Sequence, residues 1–113
     1  MPRDSRYTAK GRVYIAEVPN TEALLKNLSA SGLCIESQDF MEVVPKTRYS
    51  VDIIPEKSSK IDKFKLEIES RWVRTQKQRS ESGFVIVVPP GSEKKQVLEQ
   101  YLAYLSANPE PDA

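Results

Sequence analysis

A chain of 113 residues, 39% of them hydrophobic, makes one core, because cutting it in two leaves halves too small to fold alone. Seventeen basic side chains against sixteen acidic ones give a net charge of +1, which excludes binding to DNA or RNA through the overall field and confines any anion site to a local basic cluster. Histidine is absent and Cys34 is the only cysteine, so an intrachain disulfide, the usual nucleophile–base pairs and the common zinc sets cannot be assembled, and no enzyme is expected.

Residues 1–11 are polar and basic and read as a flexible extended arm. The start, Met1 to Arg6, is charged with no apolar stretch behind it, so no signal peptide is visible. The longest apolar run, Phe84 to Val88, is far too short to cross a bilayer, so no membrane insertion is expected. With a lone cysteine, these features point to the cytoplasm.

Arg12 to Val18 alternates as a first strand, with Val13 and Ile15 on one face. Pro19-Asn20 signals a turn, and Thr21 to Lys26 begins a second strand; Glu22-Ala23-Leu24-Leu25 suits a helix too, but Pro19 and Gly32 leave little room for one. Asn27 to Gly32 is a turn leading into Leu33-Cys34-Ile35-Glu36. A loop around Gln38 to Lys46 precedes the strand Tyr49 to Ile53, which stops before Pro55, and Glu56 to Lys63 is a solvated loop. In the next strand Phe64, Leu66, Ile68 and Trp72 point one way, with Trp72 in the core, while Lys65, Glu67, Glu69 and Arg71 point the other. Glu81-Ser82-Gly83 turns the chain into the buried strand Phe84 to Val88. After Pro89-Pro90-Gly91, Ser92 caps a helix whose Val97, Leu98, Tyr101, Leu102 and Leu105 recur at spacings of three and four. Residues 108–113, with two prolines, form a disordered tail. Six strands and one helix imply a mainly β fold, a closed or nearly closed antiparallel barrel over residues 12–107 with a C-terminal α-helix.

The most informative run is Asn27-Leu28-Ser29-Ala30-Ser31-Gly32. Asn and Ser two apart on an extended backbone point the same way and can serve one ligand; Gly32 permits a positive φ or a close backbone approach. The same residues are also common turn formers. The run resembles the Asn/Asp-x-Ser-x-x-Gly signature of PilZ domains, carried here by Asn27, Ser29 and Gly32 between the second and third strands. Gly32 to Glu36 looks like that family's apolar third strand, and Phe64 to Arg74 with Ser82 to Val87 is similar to its closing hairpin. The likeness covers nearly all of residues 3–106 and implies a six-stranded barrel. The family's basic Arg-x-x-x-Arg arm is matched imperfectly: Arg6 takes the second arginine's place, the first falls on Pro2 beside Arg3, and Arg6 with Lys10 offers an alternative frame.

What the resemblance implies is a cytoplasmic receptor for cyclic di-GMP, taken up singly or as a dimer. Arg3, Arg6, Lys10, Asn27, Ser29 and Gly32 would form the site, with no metal or other cofactor. An arginine fork matches the O6 and N7 edge of guanine, which lysine cannot reproduce. Such a receptor would act as an adaptor for an effector protein. The broken arginine spacing supports an alternative, a PilZ-like interaction module that has lost the nucleotide. On its own, a basic terminus also reads as merely solvated charge.

Overall fold

The computed structural model describes residues 6–18, 22–37, 43–76, 79–88 and 91–107, and for Gln76 and Arg79 the backbone alone. Strand β1 is Tyr7–Thr8, β2 Arg12–Ile15, β3 Glu22–Leu28, β4 Gly32–Ser37, β5 Arg48–Ile54, β6 Phe64–Gln76 and β7 Arg79–Ile86; helix α1 is Glu93–Ala107. All pairings are antiparallel in the order β1-β3-β2-β5-β6-β7-β4, and β4 pairs back onto β3. The six longer strands therefore close into a ring. The expected tail, 108–113, and residues 38–42 of the expected loop from Gln38 to Lys46 lie outside the described residues, as does Arg3.

Alternation builds the barrel interior. Val13, Leu25, Ile35, Val51, Leu66 and Ile68 are almost fully buried, and each side chain so placed contributes about 1.5–3 kcal/mol of transfer free energy. Helix α1 contributes Leu98, Tyr101 and Leu105, with Phe64 edge-on to Tyr101 at 6.2 Å between ring centroids. Ser92 Oγ accepts from the Lys95 amide at 3.2 Å, so the N-cap stands where the sequence suggests. Strand β2 is shorter than expected: the chain turns after Ile15, whose carbonyl accepts from the Val18 amide.

Two bulges depart from strict alternation. In β3 the register against β4 shifts between Leu25 and Asn27, and in β6 the register against β7 shifts between Ser70 and Trp72. An extra residue on one strand reverses the facing of everything beyond it. Trp72, expected in the core, therefore lies on the outer surface at 39% exposure, and Val73 turns inward. The arm also differs from expectation, because Tyr7–Thr8 is a strand on β3 and Ala9 and Gly11 are buried.

Five serines are buried among the described residues, and their bonding differs. Ser70 Oγ donates to the Val44 carbonyl and accepts from the Thr47 amide at 3.1 Å, tying the loop before β5 to β6. Ser82 Oγ has no protein partner. Ser70→Ala is expected to cost about 1–3 kcal/mol in urea denaturation, because it strands buried backbone groups, whereas Ser82→Ala should stay within about 0.5 kcal/mol of the parent or stabilise it.

Candidate functional site

The β3–β4 hairpin carries the Asn27–Gly32 run. The Ser29 amide donates to the Gly32 carbonyl at 2.8 Å. Ser29 Oγ accepts from the Gly32 amide at 3.1 Å and the Ser31 amide at 3.4 Å, and contacts the Gly32 carbonyl at 3.2 Å. At 3% exposure, this hydroxyl is occupied in holding the turn. Gly32 is not in the left-handed region; a Cβ there would lie 2.8 Å from the Phe84 carbonyl oxygen. Of the two reasons the sequence offers for this glycine, close backbone approach is the operative one.

The bulge in β3 decides where Asn27 points. Under strict alternation Lys26 and Asn27 would take opposite faces. With the shift, Lys26 is exposed, Asn27 is half-buried beside it, and Leu28 returns to the core. Asn27 pairs with Cys34 on one side and Thr8 on the other. Tyr7 pairs with Leu28, so Arg6, one step back along the arm, comes level with Ser29. Arg6 is exposed and lies close enough to Cys34 to act on its thiol electrostatically. Lys10 lines a cleft of about 310 Å³ with Thr8, Ala9, Leu24, Lys26 and Glu36. The fold thus gathers Arg6, Lys10 and Asn27 on one outer surface, with Ser29 and Gly32 shaping the turn beside them.

Lys26 is a member of this surface that the sequence reading omits. Its signal is the spacing of Leu25 and Leu28, three apart where two is the strand period. Lys26 Nζ donates to Glu81 Oε2 at 2.7 Å and stands 3.9 Å from Glu36 Oε2. Arg74 approaches Glu81 from the other side at 3.9 Å, and its guanidinium sits 5.4 Å from the Trp72 ring centroid. The indole in turn lies over Gly83, where a Cβ would fall 2.3 Å from Nε1. Neighbouring strands therefore present Lys26 and Asn27, Cys34, Gly83 and Trp72 in one row, low in the middle where the side chains are small. Since Trp72 is the only tryptophan, Gly83→Ala should swing the indole into water and shift the emission maximum to the red; an unchanged spectrum would remove Trp72 from this position.

The titration behaviour follows the packing. The hydrogen bond to Glu81 raises the Lys26 ammonium above its ordinary value, with burial opposing it. Burial raises the Cys34 thiol; Glu81 adds to this, while Lys26 and Arg6 oppose it. Burial also raises the Tyr101 phenol, reinforced by its hydrogen bond to Glu56. A folded state that keeps these protons longer than the unfolded chain loses stability as pH rises past the unfolded values, 9.0 for the thiol and 10.0 for the phenol. The melting temperature is expected to fall from about pH 9 upward, and Cys34→Ala should move the onset towards about pH 10. A level profile between these pH values in the parent would contradict the burial of the thiol.

No protein-family model and no curated protein sequence matches the chain. Among solved structures, the inhibitor of motility MotI/DgrA of Bacillus subtilis is similar, with a TM-score of 0.71 at 14% identity, over 96% of this chain and 53% of that one. This chain thus spans about half the length of that protein. At such identity the likeness concerns the fold, and the fold is a PilZ-like barrel with one C-terminal helix.

Proposed function

We propose that this protein is a cyclic di-GMP receptor that acts as an adaptor, converting arrival of the nucleotide into contact with a partner protein. One observation carries the reading: β1 pairs with β3 at Tyr7↔Leu28 and Thr8↔Asn27, which sets the basic arm against the Asn27–Gly32 hairpin. Had the arm left the barrel elsewhere, Arg6 and Asn27 would not share a surface.

The chemistry suits the residues. Arg6 is exposed and able to place its fork on a guanine edge or stack on the base face. Lys10 supplies a cation for a phosphate, and Arg3 precedes both on the same arm. Asn27 offers a directional amide worth about 1 kcal/mol net. Ser29 and Gly32 serve the site by shaping the turn and keeping β7 close behind it. Engagement of the arm by the ligand would change the surface shown to a partner, which is the coupling an adaptor needs. The neighbour's description as an inhibitor of motility accords with action through protein contact.

A second reading, an interaction module without nucleotide, is favoured by Glu36 and Glu81. These carboxylates stand behind Lys26 and reduce the positive field a phosphate would meet.

Calorimetric titration with cyclic di-GMP separates the two. The receptor reading expects binding at micromolar concentration or tighter, weakened by about 2 kcal/mol or more in Arg6→Ala, because a charged bidentate contact is lost. Absence of both heat and thermal shift at millimolar nucleotide would overturn it in favour of the interaction module.

A further inference from the structure

The arm crosses from β1 to β2 with an extra residue. Thr8 faces Asn27 and Arg12 faces Leu24, so four steps along the arm span three along β3. Such a slip needs something to hold it, because a one-residue shift exchanges the faces of every side chain in the segment. Two hydrogen bonds mark the crossing: the Ala9 amide donates to the Lys26 carbonyl at 3.3 Å, and the Leu25 amide to the Gly11 carbonyl at 2.8 Å.

Gly11 is hemmed in. A Cβ there would lie 2.8 Å from the Ile54 carbonyl oxygen and 3.1 Å from the Tyr101 hydroxyl. That hydroxyl belongs to the fully buried Tyr101 of α1 and hydrogen-bonds to Glu56 Oε1. Glu56 follows β5, so one oxygen joins the helix, the end of β5 and the kink of the arm. The next tyrosine on the helix, Tyr104, stacks on Tyr101 at 6.5 Å and bonds to Ser58.

We infer that Tyr101 is a positioning residue for the N-terminal arm: its hydroxyl, held by Glu56, fixes the kink at Gly11 and thereby the register of β1 on β3. That register decides whether Arg6 and Lys10 face the Asn27 surface. The consequence for ligand binding rests on the receptor reading above, whereas the register itself does not.

Hydrogen exchange on the full chain tests the register directly. Tyr101→Phe keeps the ring and removes the hydroxyl. It should speed exchange of the Ala9 and Leu25 amides about tenfold, as expected for loss of one hydrogen bond, and leave the β5–β6 ladder at the parent rate. Tyr104→Phe should leave Ala9 and Leu25 unchanged. Parent rates at both amides in Tyr101→Phe, or equal acceleration throughout the barrel, would overturn the assignment. Should Tyr101→Phe not fold, Glu56→Gln keeps an acceptor but loses the charge; it should accelerate the same two amides less strongly, and no change there counts against the proposal. Under the receptor reading, Tyr101→Phe should also weaken cyclic di-GMP binding about tenfold. If the parent protein takes no nucleotide, that reading fails while the exchange rates still decide the role of Tyr101.

Discussion

The ladder between β3 and β4 closes the ring of strands, and the turn that starts it is held by one serine hydroxyl. Ser29 bonds the backbone of Ser31 and Gly32, while Gly32, with no side chain, lets the Phe84 carbonyl approach from β7. Without that turn, β3 and β4 would meet neither in this register nor at this edge. Everything on the outer surface discussed above is measured from it: Asn27 stands two residues before Ser29, Cys34 two after Gly32, and the arm lies on β3 opposite the same segment. The run that resembles a ligand signature is thus also the closure device of the barrel, and the two uses divide among its residues.

The surface beside it has a mixed electrostatic character. Arg6, Lys10 and Lys26 lie along the arm and β3, while Glu36 and Glu81 lie one and two strands away. Lys26 faces both groups and is already committed to Glu81. A partner surface of alternating charge with an apolar projection would find Trp72, backed by Gly83 and flanked by Arg74. Ion pairs with an exposed partner of this kind contribute little to stability.

Three parts of the chain show how far local pattern reaches. In β5, Tyr49, Val51 and Ile53 alternate with polar residues and are buried as the period of two requires. In α1, Leu98, Tyr101 and Leu105 recur at three and four and are buried together. The same reasoning fails in β6, where Phe64, Leu66 and Ile68 extrapolate to Trp72 in the core. The bulge after Ser70 reverses the facing, and its warning is the three-residue step from Ser70 to the inward Val73. Strand β1 has only two residues, too few to show any period.

The amino-acid sequence by itself determined the class of fold, the number of long strands, the capped helix and the hairpin at Asn27–Gly32, because alternation, helical spacing and turn chemistry are local properties. Only the tertiary structure decided that the arm pairs with β3, that Lys26 and Asn27 share the outer face, that Trp72 lies outside and that the Ser29 hydroxyl is spent on the turn. Each of these depends on a partner strand whose register is set by residues distant in sequence. A bulge or a two-residue strand carries no periodic signal until that partner is in place.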